Sequence, residues 1–187
     1  MFQSNLRNTI ISAIFTALIA ASAFITIPVG PVPIVLTNIF IILSGMLCGP
    51  WIGASSVLTY LILGAIGFPV FAGGSAGFAK LVGPTGGYLI GYLLAAFVVG
   101  FLFRPSKKTS KRNKAIFAIC SALIAGAVIY VPGLLWLKSS LSMNWTTTLQ
   151  VGLIPFIPGY FIKSAVAAAL AYNLKDRFEE FLNKDEE

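Results

Sequence analysis

From Gly86 to Phe103 the chain reads GGYLIGYLLAAFVVGFLF, 18 residues without a charge. About 20 helical residues cross a hydrocarbon layer roughly 30 Å thick, so a run of this kind reads as a membrane span. Comparable runs occupy 8–27, 34–49, 51–67, 115–137 and 158–175, with 86–104 the fourth of the six in order. A soluble domain of 187 residues has too little interior for a sequence that is 57% hydrophobic and only 10% charged. Six spans with short connections leave no room for a separate soluble catalytic domain. The sequence therefore predicts an all-α integral membrane protein, residues 1–187 forming a single membrane domain that ends in a charged tail, 176–187. The first run is followed by PVGPVP rather than a small-residue cleavage site, so it reads as a span and not a signal peptide.

Proline and glycine mark where the runs break. Pro31 and Pro33 precede the second run. Cys48-Gly49-Pro50 is a tight turn between the second and third, and Gly67-Phe68-Pro69 ends the third. The long connection 68–85 is glycine-rich yet mostly apolar. Loops of that composition pack back on the protein as lids or binding loops. The stretch 138–157, with Trp145 and Pro155, has room for a short interfacial helix.

The charges give an orientation. Six Lys/Arg crowd the fourth connection, RPSKKTSKRNK, and Arg7, Lys175, Arg177 and Lys184 fall on the same side if there are six spans. Only Lys80 and Lys138 fall on the other side. The positive-inside rule then puts both termini in the cytoplasm. It also accounts for the basic run without a nucleic-acid partner. The 28–33 turn, the 68–85 loop and the start of the last span all lie outward. Irregular backbone at membrane depth has to be covered by protein or line a cavity, which here opens outward.

The composition also excludes chemistry. All six acids lie between Asp176 and Glu187, and there is no histidine. Intramembrane Asp, Glu or His relays for proton coupling are therefore missing, as are acidic rings for a cation pore. Paired carboxylates for acid–base catalysis are missing too. Cys48 and Cys120 stand apart and match no metal spacing, so neither a metal site nor a catalytic centre is expected. No GxxxxGK[ST] loop is present, and Lys80 after the loop glycines is followed by leucine rather than by a phosphate-binding helix start.

One residue conflicts with this composition. Lys163 sits in PFIPGYFIKSAVAAALAYNL, with no acid within ten positions. An ammonium in hydrocarbon costs at least about 2.5–3.5 kcal/mol. It can snorkel, since a helix starting at Pro158 places it only about 8 Å in. Alternatively it can await an anion brought by a ligand. Pro158-Gly159 is a plausible helix start, whose dipole and free N–H groups add to the lysine charge. Phe68, Phe71, Tyr88, Tyr130, Trp136 and Tyr160 would supply apolar walls. Together these describe a site for a small amphipathic anion with a neutral polar head. On the first run, Ala13, Ala17 and Ala21 recur every four residues beside Ala20. That spacing serves close helix packing, either within the molecule or against a partner.

GFPVFAGGSAGFAKLVGPTGGYLIGY (67–92) resembles the signature of BioY-type proteins, and PVPIVLTNIFIILSGMLCGP (31–50), YVPGLLWL (130–137) and PFIPGYFIK (155–163) extend the likeness over nearly the whole chain. These are the biotin-specific substrate-binding (S) components of energy-coupling factor (ECF) transporters. The resemblance implies six helices, with biotin held near the outer face under loop 68–85. It implies biotin contacts at Lys163, Tyr160, Gly73, Gly74, Ser75, Tyr88, Thr37, Asn38 and Phe71. It implies no cofactor, and a bacterial plasma-membrane location. Energy would come from two ATPase subunits and a transmembrane coupling protein docking on Ala13, Ala17 and Ala21. Two positions depart from the family pattern: Tyr160 stands where an acid usually follows PFIPG, and Thr37 where glutamine is common. The alternatives are an S component for another small carboxylate vitamin, or a structural membrane protein without transport.

Overall fold

The computed structural model describes residues 2–105 and 109–183; Lys107, Lys108, Lys184, Asp185, Glu186 and Glu187, which carry part of the charge asymmetry, lie outside them. The chain is mostly helical. Its elements are α1 (Phe2–Ala23), a small hairpin of β1 (Thr26–Ile27) and β2 (Ile34–Val35), α2 (Thr37–Ala65), α3 (Phe78–Val82), α4 (Gly86–Leu102), α5 (Lys111–Ser140), α6 (Trp145–Gly152) and α7 (Ile157–Asn183). Among the described residues, Leu6–Ala23, α2, α5 and the stretch Trp145–Phe181 are long and apolar enough to cross a membrane, and α4 is a shorter apolar helix.

Two expected boundaries move. The first run ends as helix at Ala23, and Thr26–Ile27 pairs antiparallel with Ile34–Val35. Pro28, Pro31 and Pro33 cannot continue a helix, and Gly30 turns the hairpin at a positive φ of 71°. The second run therefore begins as strand, and its helix starts only at Thr37.

α2 is broken at Gly49, whose φ of 82° and ψ of 178° are non-helical, just before Pro50. The chain doubles back there. Gly45 and Gly53, four residues either side, face each other so closely that a Cβ on Gly53 would lie 2.7 Å from the Gly45 Cα. Gly100 of α4 packs on the turn itself, where a Cβ would lie 2.5 Å from the Pro50 Cα. Small residues let the backbones meet where nothing larger fits.

α7 lies along the first arm of α2 and is pinned at both ends. The Lys163 Nζ donates to the Val35 carbonyl at 3.0 Å, and twelve residues on the Lys175 Nζ donates to the Leu47 carbonyl at 3.1 Å. Lys175 thus meets one of the orphan carbonyls at the end of the broken arm. α1 rests on α2, burying Ile11, Phe15 and Ile19, with Thr16 Oγ1 donating to the Ser56 carbonyl at 2.9 Å, and Phe15 lies edge-on to Phe178 of α7 with centroids 6.5 Å apart.

Candidate functional site

Loop 66–85 folds back over the end of α2. Phe71 and Ser75 form a bridge, with the Phe71 amide donating to the Ser75 carbonyl at 2.9 Å. Gly73 and Gly74 make that reversal at φ of 65° and 76°, a region that disfavours side chains. The Phe71 ring then lies on Gly64 and edge-on to Tyr60, with centroids 5.4 Å apart. Gly77 donates to the Gly64 carbonyl at 2.7 Å, and the Trp136 indole donates to the Gly83 carbonyl at 2.9 Å. The loop is thus a packed cover held to α2 and α5.

Beneath it is a cleft in two parts. The outer part is lined by residues that include Pro31, Thr37, Tyr60, Phe71, Ser75, Lys80, Thr85 and Leu89. The inner part, which is narrow, adds Asn38, Ile129, Tyr130, Phe156 and Lys163. Val32, Pro33, Val35, Tyr88 and Tyr92 line both, so the parts adjoin. Tyr88 is held by its hydroxyl on the Gly152 carbonyl at 2.9 Å and lies edge-on to Tyr130 at 6.1 Å.

The polar groups of the cleft are incompletely satisfied. Lys163 is 8% exposed and turned inward, so it does not snorkel. Its hydrogen bond to Val35 is a partner in the polypeptide that the sequence alone does not reveal. The other two buried lysines each have a carboxylate: Lys114 pairs with Asp176 at 2.7 Å and Lys175 with Glu179 at 3.4 Å. Among the described residues Lys163 has no such ion pair. Nearby, Thr37 and Asn38 are 1% and 4% exposed, and their Oγ1 and Oδ1 have no hydrogen-bond partner among the described residues. Buried polar atoms left this way are uncommon.

The structure thus gathers Lys163, Asn38, Thr37, Tyr88, Phe71 and Ser75 around one cleft. Gly73 and Gly74 shape the loop beside Ser75 but are not among the lining residues. Tyr160 is not among them either. Its hydroxyl donates toward the Ala122 and Leu123 carbonyls of α5, it packs on Gly126, and its ring braces Tyr130 at 5.6 Å. Phe68 and Trp136 are exposed and also stand outside the lining. Tyr60, Tyr92, Lys80 and Thr85 line the cleft without having been expected there. Tyr60 and Tyr92 stand inside helical runs, where a tyrosine cannot be told from ordinary packing by spacing alone. Ala13, Ala17 and Ala21 are exposed, whereas Ala20 beside them is half-buried and packs on the core.

Comparison with known proteins agrees with this architecture. The model of the BioY family matches residues 1–180. The biotin transporter BioY of Thermotoga maritima is 40% identical over 170 residues, 91% of this chain and 96% of that protein. The biotin transporter BioY of Lactococcus lactis subsp. cremoris is 37% identical over 180 residues, 92% of this chain and 94% of that one. The crystal structure of the S-component for biotin from an ECF-type ABC transporter matches with a TM-score of 0.84 and 32% identity, over 97% of this chain and 98% of that one. With a family match of this extent, a fold in common and a cleft formed where the signature segments meet, the chain belongs to the BioY family.

Proposed function

We propose that this protein is the biotin-binding S component of an ECF-type transporter, capturing the vitamin at the outer face of the plasma membrane and delivering it inward. The observation that carries the reading is the cleft under loop 66–85. It combines a buried lysine without a carboxylate partner, two buried oxygens without donors, and walls of Tyr88, Tyr92, Tyr130 and Phe71. Biotin has the matching parts: a ureido ring with N–H and C=O groups, an apolar body and a carboxylate. Lys163, Asn38, Thr37, Tyr88, Phe71 and Ser75 hold it directly. Gly73 and Gly74 shape the cover, and Tyr160 braces Tyr130.

The membrane arrangement follows from the same elements. The two arms of α2 count as separate spans, giving six with α1, α4, α5 and α7, and the charge bias puts both termini in the cytoplasm. The first arm, Thr37 to Cys48, is only about 18 Å long, well short of the roughly 30 Å hydrocarbon layer. The β-hairpin and loop 66–85 fill the remaining depth on the outer side, and the cleft lies under them.

The chain is not an enzyme and needs no cofactor. Energy comes from a separate module of two ATPase subunits and a transmembrane coupling protein, which docks on the exposed face of Ala13, Ala17 and Ala21. The direct test is mass spectrometry of small molecules that co-purify with the detergent-solubilised protein. Biotin is the expected species. A different carboxylate vitamin would point to a sister specificity, and no retained ligand after growth with biotin would favour a structural role.

A further inference from the structure

Toward the charged-tail end, α5 and α7 enclose a groove on the outside of the bundle. Its floor is Ala118 and Ala168, which are buried, and its sides are Ala115, Ala165, Ala169 and Ile119. A helix with its side chains is about 10 Å across, so a crease between two neighbouring helices suits a hydrocarbon chain rather than a further helix. Tyr172 and Asn173 line both this groove and a charged hollow, so the two adjoin. An apolar crease that meets a charged hollow matches a phospholipid, with its chain against alanine and its headgroup against charge. Neither part shares a lining residue with the cleft under loop 66–85.

The charges of the hollow select the headgroup. Lys114 is paired with Asp176 at 2.7 Å, and its Nζ lies 5.4 Å from the centre of the Tyr172 ring. Glu179 is paired with Lys175 at 3.4 Å. Lys111 and Glu180 also line the hollow, are exposed, and have no ion pair among the described residues. Lys111 is the first residue of α5, so its charge adds to the positive end of that helix. One open cation and one open carboxylate complement a phosphate and an ammonium carried by the same molecule. A purely anionic headgroup brings nothing to Glu180, and a quaternary ammonium has no N–H to donate to it. We propose that the α5–α7 groove binds one phospholipid with a primary-amine headgroup, of the phosphatidylethanolamine type. Its phosphate rests on Lys111 and its ammonium on Glu180.

The test is native mass spectrometry of the delipidated protein in detergent, titrated with phosphatidylethanolamine, phosphatidylcholine and phosphatidylglycerol of identical chains. One phosphatidylethanolamine per chain, held roughly 10-fold more tightly than either other lipid, is expected. Ala169→Leu fills the groove and is expected to weaken that lipid by about 10-fold, with Ala165→Leu as the second filling variant should the first fail to fold. Glu180→Gln is expected to abolish the preference over phosphatidylcholine while leaving phosphatidylcholine itself within about 2-fold. Equal affinity for the three lipids, or an undiminished preference in Glu180→Gln, would overturn the proposal. So would a dimer that Ala169→Leu dissolves, which would give the groove to a second copy of the chain.

Discussion

Lys163, Lys114 and Lys175 are all buried, yet the chain treats them differently. Acids at 176 and 179 reach the two at the charged-tail end, whereas Lys163 has one backbone carbonyl. Removing a charge-assisted hydrogen bond costs about 1.5–3 kcal/mol, so Lys175→Met should lower stability by that order, read as a fall in the thermal midpoint, with biotin affinity little changed. Lys163→Met should do the opposite. Its loss of biotin affinity, roughly 10-fold or more by titration, should exceed its loss of stability, because the charge is costly without cargo and useful with it. Equal binding by this variant and the wild type would remove Lys163 from the site. The isolation of Lys163 is legible in the sequence, because no acid lies near it. The Val35 carbonyl is not, since it is 128 residues away and depends on how α7 packs along α2.

On the proposed function, two elements matter most: the covering loop and the exposed side of α1. The loop is held where Phe71 lies on Gly64. A side chain at Gly64 would displace that ring, so Gly64→Val should raise the rate of biotin release by about 10-fold while the helices stay folded, measured by dissociation of labelled biotin and by circular dichroism. On α1, Ala13, Ala17 and Ala21 are exposed. Ala17→Trp should spare biotin binding and abolish co-purification with the coupling protein, whereas unchanged assembly would place docking elsewhere. The loop's role is readable from its glycines and apolar residues. The end of α1 at Ala23 and the hairpin after it are less so, because two-residue strands leave almost no periodic signal and proline alone does not tell a turn from a strand. Tyr160 is another such case: its position beside Lys163 in sequence suggests the cleft, but its rotation on α7 turns it toward α5.

Long uncharged runs and the charge bias indicate a membrane bundle, and the proline and glycine breaks indicate which end is irregular. The break at Cys48-Gly49-Pro50 also marks the turn of the α2 hairpin, but neither the runs nor the breaks show that its first arm is helical only from Thr37, or that this shortness leaves room for a cleft. The packing of the hairpin depends on Gly45 meeting Gly53 and on Gly100 meeting Pro50. On the proposed function, this cleft stores biotin without help from any energising subunit. Isothermal titration of the purified protein with biotin, in the absence of nucleotide and of other subunits, tests it most directly. Saturable heat for one site per chain, competed by no unrelated vitamin, is the predicted result. No heat, together with no biotin retained after gel filtration, would contradict it.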